Sequence, residues 1–298
     1  MATPVEIRCF LHCNYNCQDI VSLEQFYVGV FGLKAVMRSD GAGNDGTPFG
    51  IYESLSSSTV FLYDHRGGRR ANALEMVQWI SPPTIGSTYP FGWDRGIQSA
   101  AYTAADLDAT VATALSLGGS LVGRGEGWVL LRDPEGVALE VFQADGPTEA
   151  RYLRIVVADI DKTISWWEQL GFTEAPHLIA VPGGDIWKGD GERTIVSEYA
   201  MVATDDPTFG IVLTNWSDPP AIGPTYAMPY HQGLYRMAIA VDDVDAAFES
   251  LRVLGAAQQP PYTFALPGTP LTNGLKIMFI RDPDGILVEL VERPRLAR

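Results

Sequence analysis

The sequence predicts an α+β fold built from four similar β-α-β-β-β modules, and three observations lead to this prediction. Residues 78–109 and 215–246 align without a gap, beginning QWISPPTIGSTYP and NWSDPPAIGPTYA. The segments RDPEGVALEVF (132–142) and RDPDGILVELV (281–291) form a second matching pair. A third pattern occurs four times: a short apolar run, an Asp, a helical stretch and then a Gly. Repetition of this kind indicates similar structural units along one chain.

Each module begins with a strand and a helix whose ends are marked in the sequence. An aspartate stands at each expected helix N-cap, where its carboxylate accepts the free N–H groups of the first turn. These aspartates are Asp19, Asp106, Asp159 and Asp243. A glycine suited to a left-handed C-cap follows each helix. These glycines are Gly32, Gly118, Gly171 and Gly255. Further short strands follow, such as FGIYES, TVFLYD and ALEMVQW in the first module.

The four modules divide into two halves near Gly146 and Pro147, which gives two predicted domains, 1–146 and 147–298. Pro-rich connectors at 80–95 and 217–232 lead from the first module to the second and from the third to the fourth. The sequence leaves open whether the modules pair within one chain or across a homodimer.

Composition excludes several classes of function. The formal net charge of −15 comes without a basic stripe, so nucleic acid is not an expected partner. No window approaches ~18 unbroken apolar residues, so no membrane span is expected. The N-terminus lacks a basic region followed by an apolar run, so we expect no secretory signal and a cytoplasmic protein. A hydrophobic content of 46% is typical of a globular protein with an ample core.

Three cysteines lie close together, at Cys9, Cys13 and Cys17. An odd number within nine residues makes a poor disulfide framework. On a strand all three share one face, where a free cysteine behaves as a small hydrophobic residue. We therefore expect core packing here rather than metal binding. The opposite face of the same strand carries His12, and its alternation with two amides predicts the polar lining of a cleft.

The motifs of this chain resemble those of the vicinal oxygen chelate superfamily, the glyoxalase/bleomycin-resistance/extradiol-dioxygenase group. The resemblance rests on His12, Asp19, Phe26-Tyr27 and Gly32 at the spacing H-x6-D-x6-FY-x4-G, and on the two R-D-P-[ED]-G-x3-E segments. It covers almost the whole chain. It implies two cupped mixed β-sheets flanked by helices, each sheet made by a pair of modules, with up to four metal-binding positions in each cup.

The resemblance also implies which positions those are, one on the first strand and one on the last strand of each module. The first-strand positions are His12, Ser99, Tyr152 and Arg236, and the last-strand positions are Glu75, Glu140, Val212 and Glu289. Imidazole and carboxylate donors suit a divalent cation, so the N-terminal half presents His12, Glu75 and Glu140 as a metal site, with Ser99 in the fourth place. In the C-terminal half, Arg236 can pair with Glu289 in a salt bridge that replaces the cation.

The function implied by the resemblance is metal-dependent lyase or isomerase chemistry on a small molecule, through a chelated enolate or alkoxide. Glu140 is the predicted acid/base, and His12 and Glu75 are the predicted permanent ligands. The predicted substrate contacts are Asn14, Asn16, Gln98 and Ser99. Fe, Mn, Ni, Zn and Mg are not distinguished. Two alternatives stay open: an extradiol-type dioxygenase with Fe(II), and a metal-free small-molecule binding or resistance protein.

Overall fold

The computed structural model describes residues 5, 7–68, 70–187, 195–203, 205–253, 256, 259–264 and 273–293. Its elements form the four predicted modules. Module 1 contains β1 (Ile7–Cys17), α1 (Ile20–Phe31), β2 (Lys34–Asp45), β3 (Ser54–Tyr63) and β4 (Ala73–Ser81). Module 2 contains β5 (Gly96–Ala104), α2 (Leu107–Ser116), β6 (Ser120–Gly125), β7 (Trp128–Arg132) and β8 (Ala138–Gln143).

The second half repeats this order with one short additional helix. Module 3 contains β9 (Ala150–Val156), α3 (Ile160–Gln169), β10 (Phe172–Glu174), α4 (Gly183–Ile186), β11 (Ile195–Ala203) and β12 (Asp206–Asp218). Module 4 contains β13 (Gly233–Val241), α5 (Val244–Val253), β14 (Tyr262–Phe264), β15 (Leu275–Arg281) and β16 (Leu287–Glu292). Of the helices in the described ranges, none has both the length and the apolar character needed to cross a membrane.

The aspartates predicted as helix caps are confirmed. Asp19 accepts hydrogen bonds from the backbone N–H groups of the first turn of α1, at 3.1 Å. Each of the other three aspartates accepts a hydrogen bond from the backbone N–H of the residue three positions later, at 2.9 to 3.0 Å. Gly32 ends α1 with φ of 65°, a left-handed conformation that favours glycine. Gly255 lies outside the described residues.

One predicted strand is wrong. The segment FGIYES (49–54) was expected to be a strand, but Thr47–Phe49 forms a 3-10 turn that ends at Gly50 with φ of 73°. The strand that follows α1 is β2 instead. Its sequence, KAVMRSDGAGND, is largely exposed and has no apolar alternation, so no local pattern indicated it.

The sixteen strands within the described ranges form two eight-stranded sheets, and each sheet pairs modules from opposite halves. Sheet I has the order β14-β15-β16-β13-β1-β4-β3-β2, so it unites modules 4 and 1. Sheet II has the order β10-β11-β12-β9-β5-β8-β7-β6, so it unites modules 3 and 2. At the centre of each sheet the first strands of the two modules run antiparallel, and each pairs in parallel with the last strand of its own module. The predicted fold class, with two mixed sheets, is confirmed.

The sheets do not follow the predicted domains 1–146 and 147–298, because each takes one module from either side of that boundary. The modules pair within one chain. The two Pro-rich connectors make this possible, since one leads from sheet I to sheet II and the other leads back. They meet where Tyr89 stacks on Tyr226, with ring centroids 4.0 Å apart.

One large core joins the helices to the faces of both sheets that lie opposite the cups, and two of the three cysteines belong to it. Cys13 and Cys17 are buried there, while Cys9 is half-buried, and all three are free thiols. Burial raises the pKa of the Cys13 and Cys17 thiols above its ordinary range. The prediction of core packing for these two residues is confirmed.

Candidate functional site

The eight positions expected to face the cups form two separate clusters. Cup I is the face of sheet I that carries His12 on β1, Glu75 on β4, Arg236 on β13 and Glu289 on β16. Cup II is the face of sheet II that carries Ser99 on β5, Glu140 on β8, Tyr152 on β9 and Val212 on β12.

The structure does not bring the three predicted metal ligands together. His12 and Glu75 lie in cup I, whereas Glu140 lies in cup II. The prediction grouped neighbouring modules of one half, but sheet pairing joins module 1 to module 4. The glutamate that meets His12 and Glu75 is therefore Glu289, from the same motif in the other half.

Cup I contains a nearly buried cluster of four charged or polar side chains. His12 Nε2 lies 3.4 Å from Oε2 of Glu75 and 3.4 Å from Oε2 of Glu289. Arg236 donates from Nη2 to Oε2 of Glu75 and from Nε to Oε2 of Glu289, both at 2.9 Å. The predicted salt bridge between Arg236 and Glu289 is thus present. Exposure of the four residues is between 4% and 7%.

The positive charge of Arg236 keeps the Glu289 carboxyl ionised. Burial alone would raise the pKa of Glu289, but the Arg236 guanidinium and His12 outweigh that effect and lower the pKa to about 2. The two glutamates in turn raise the pKa of Arg236 above its ordinary range, against its own desolvation. The Phe49 ring covers the guanidinium, with its centroid 5.7 Å from Cζ. Arg236 is therefore a permanent cation in cup I.

Three side chains on the cup I face of sheet I have buried polar atoms with no hydrogen-bond partner within the described ranges. The atoms are Nε2 of His12, Oη of Tyr262 and both amide atoms of Asn14. Asn14 is fully buried and lies on β1 opposite Arg236 on one side and Glu75 on the other. Buried polar groups are seldom left without partners, so these atoms are the candidates in cup I for hydrogen bonds to a water or a ligand.

Asn16 was predicted to contact substrate, but in the structure both of its amide protons and its amide oxygen make hydrogen bonds within the protein. Its amide donates to the carbonyls of Pro229 and His231, each at 2.8 Å, and accepts from the Trp79 indole at 2.8 Å. Asn16 therefore ties a connector to β1.

A small cavity of about 40 Å³ lies against Glu75 and Arg236. Its wall is mainly polar on the side of β2 and β3 and mainly aromatic elsewhere. The polar wall comprises Ser39, Asn44, Ser57 and Thr59, and the aromatic wall comprises Phe49, Trp79 and Phe264. Cup I therefore has a small cavity with polar and aromatic walls next to its charged cluster.

Cup II has a different character, because Glu140 is surrounded by donors. Arg154 donates from Nε at 2.6 Å and from Nη2 at 3.0 Å. Ser99 Oγ donates at 2.6 Å, Tyr152 Oη at 2.5 Å and the Trp187 indole at 3.1 Å. Burial would raise the pKa of Glu140, but Arg154 and these hydrogen bonds lower it. A carboxylate held by so many donors is poorly suited to act as the predicted acid/base.

Apolar side chains fill the rest of cup II. Trp187 follows α4 and packs with Ile186 into the cup, against residues from both modules. Those residues include Leu130, Phe142, Tyr152 and Val212. Gln98, another predicted substrate contact, does not face this cup, since its amide donates to the Asp94 carbonyl in a connector. Arg154 also donates from Nη1 to Glu198, so cup II is a packed core around one buried arginine and its two glutamate partners.

A size exchange explains why the two cups differ. Ser99 stands opposite Arg154 in sheet II, and His12 stands opposite Ala238 in sheet I. The small Ser99 leaves space for the Arg154 side chain, and the small Ala238 leaves space for the imidazole of His12. In each sheet one residue of this cross-strand pair is small and the other is large. The large residue is Arg154 on β9 in sheet II and His12 on β1 in sheet I, so it lies on the other strand of the pair in each sheet.

Cup I does not fit a divalent cation while Arg236 is in place. His12, Glu75 and Glu289 are suitable donors, but the guanidinium already binds the two Oε2 atoms nearest His12. Two like unit charges about 4 Å apart repel by roughly 4 kcal/mol near a protein surface. Within the residues that the structure describes, no three His, Cys, Asp or Glu side chains are arranged to hold a metal ion.

Sequence reasoning missed Arg154 and Trp187. An arginine inside the apolar strand YLRIVV was a usable signal, because charged residues are rarely buried unless paired. Trp187 carried no signal, since it lies in an irregular segment whose contacts depend on the tertiary fold.

Comparisons with known proteins agree with this fold. The model of the Glyoxalase/Bleomycin resistance protein/Dioxygenase superfamily matches residues 10–141 and 150–290. A lactoylglutathione lyase of Arabidopsis thaliana is 24% identical over 295 residues, covering 96% of this chain and 92% of that protein. Glyoxalase I from Zea mays has a similar structure, with a TM-score of 0.64, 21% identity and coverage of 96% and 92%. A mutant of the maize enzyme gives a TM-score of 0.67 at 19% identity, covering 96% and 94%. Because the family model matches most of its length, this chain belongs to the Glyoxalase/Bleomycin resistance protein/Dioxygenase superfamily.

Proposed function

We propose that this chain is an enzyme that moves a proton next to a carbonyl or hydroxyl group of a small molecule, with cup I as its active site. The observation that carries the proposal is the convergence of His12 Nε2, two carboxylates and one guanidinium within 3.4 Å contacts, beside an unpartnered Asn14 amide. The curated relative, a lactoylglutathione lyase, supports a reaction of this class.

Each residue has a role that follows from its position. His12 Nε2 has no hydrogen-bond partner and is the group that accepts the proton. Glu75 and Glu289 stabilise the imidazolium that then forms. The Arg236 guanidinium has five N–H donors, two of which bind the glutamates, and its charge stabilises the developing oxyanion. The Asn14 amide orients the substrate oxygen.

The proposed site differs from the metal-dependent site predicted from the sequence in one glutamate and in the source of positive charge. Glu289 replaces Glu140 beside His12 and Glu75, and Arg236 supplies the positive charge. An extradiol-type dioxygenase has less support, because its iron site takes two imidazoles and His12 is the one imidazole among the four residues that define cup I. Cup I is complete within one chain, so the homodimer, which stays a prediction, is not needed to assemble it.

The test compares His12→Ala with a matched change in cup II, Tyr152→Phe. Turnover is measured with the hemithioacetal of methylglyoxal and glutathione, whose product is S-lactoylglutathione, and with small α-hydroxyketones and α-ketoaldehydes. General acid–base catalysis is worth about 10²–10⁴-fold, so we expect His12→Ala to lower kcat/KM by that factor. Tyr152→Phe removes one bond to Glu140 and should leave kcat/KM unchanged. Equal turnover by the wild type and His12→Ala would refute the proposal.

A further inference from the structure

Both cups neutralise the same motif glutamate with an arginine, although the two arginines come from different positions. Glu289 pairs with Arg236 at 2.9 Å, and Glu140 pairs with Arg154 at 2.6 Å. Arg236 corresponds in register to Tyr152, whereas Arg154 corresponds to Ala238. The two arginines therefore do not derive from one shared position of the repeated module. Each cup pairs its motif glutamate with an arginine from a different strand position.

The charge balance in cup I depends on Arg236. Glu75 and Glu289 place two negative charges at the floor of a nearly buried site, and such charges need a partner. Arg236 lies between them, bonded to one oxygen of each, and is itself 5% exposed. The guanidinium thus stands where a cation would join the same two carboxylates and the His12 imidazole.

We infer that Arg236 takes the place of a metal ion in cup I, and that its replacement by histidine or glutamine converts the cup into a divalent-cation site. Either substitution removes the fixed positive charge and releases Oε2 of both glutamates. Histidine also adds a second imidazole, which completes a set of two nitrogen and two oxygen donors. The inference concerns the cation and not the reaction, so it is independent of the proposed function.

The experiment measures bound metal rather than activity. Wild type, Arg236→His and Arg236→Gln are dialysed against chelator, and Ni²⁺ and Zn²⁺ are titrated by calorimetry, with metal content checked by elemental analysis. We expect no stoichiometric binding by the wild type. Arg236→His should bind one cation per chain at least about 100-fold more tightly than the wild type, since losing one hydrogen-bond partner of a metal ligand already costs about 10–100-fold in affinity.

A second substitution locates the cation. His12→Ala added to Arg236→His should abolish binding, because it removes one of the four donors. If far-UV circular dichroism shows that Arg236→His is not folded, Arg236→Gln is tested in its place. We expect Arg236→Gln to bind one cation per chain, more weakly than a folded Arg236→His would. Stoichiometric binding by the wild type that His12→Ala removes would overturn the inference. So would two folded Arg236 variants that bind no cation.

Discussion

Glu140 and Glu289 occupy the same place in the same motif, and their neighbours give them different properties. Glu140 is fully buried and accepts hydrogen bonds from four side chains, one of them an arginine. Glu289 faces an imidazole whose Nε2 is unpartnered. The same motif residue is therefore enclosed by donors in one cup and lies beside an imidazole in the other.

Arg154→Met should show that the ion pair of cup II is structural. Removing one partner of a buried pair leaves the other charge uncompensated, so we expect a loss of about 3–5 kcal/mol in the free energy of unfolding, measured by urea denaturation. Arg38→Met is the control, because Arg38 forms an exposed pair with Glu24. An exposed pair is worth at most about 1 kcal/mol. Equal losses in both variants would contradict the structural role.

At the scale of elements, the two R-D-P-[ED]-G turns hold buried carboxyl groups. Burial raises the pKa of Asp133 and of Asp282 to about 7, despite hydrogen bonds that act in the opposite direction. A carboxyl with a raised pKa binds its proton more tightly in the folded than in the unfolded state. Its contribution to stability is therefore present near pH 4 and is lost as the pH rises through about 7.

Asp133→Asn should weaken this pH dependence. Asparagine retains an oxygen that can accept from the backbone N–H groups of Glu135 and Val137, but it does not ionise. We expect the fall in unfolding free energy between pH 4 and pH 7 to shrink by an amount on the order of a few kcal/mol. Asp108→Asn, at an exposed carboxyl, is the control. An unchanged pH profile would show that Asp133 does not titrate in this range.

Local chemistry made most of the elements predictable from sequence, but not the way they pair. Asp caps and Gly stops act within one turn, so the helix boundaries could be inferred. The strand β2 has an exposed, glycine-containing sequence without alternation and could not. Which module pairs with which depends on contacts made after both have formed. Because the module pairing was not known from the sequence, the predicted site contained Glu140 where the structure has Glu289. His12 and Glu75 were correctly placed together because they belong to one module.

At the scale of the whole molecule, each sheet requires both halves of the chain. A cut in the exposed segment at Gly146 should therefore leave two fragments that remain associated. We expect residues 1–146 and 147–298, produced together, to elute as one complex in size-exclusion chromatography. Each half produced alone should fail to give a cooperative thermal transition, because its modules lack their sheet partners. Two independently folding halves would contradict the sheet order.

The central claim is that cup I acts on substrate and cup II is structural, and kcat/KM of a matched pair of variants tests it most directly. Glu289→Gln and Glu140→Gln make the same change at equivalent motif positions. We predict that Glu289→Gln lowers kcat/KM by about 10²-fold or more, because the His12 imidazolium loses the charge of one of its two carboxylate neighbours. Folded Glu140→Gln should keep kcat/KM near the wild-type value while unfolding at lower denaturant concentration. Activity lost in folded Glu140→Gln and kept in Glu289→Gln would contradict the claim.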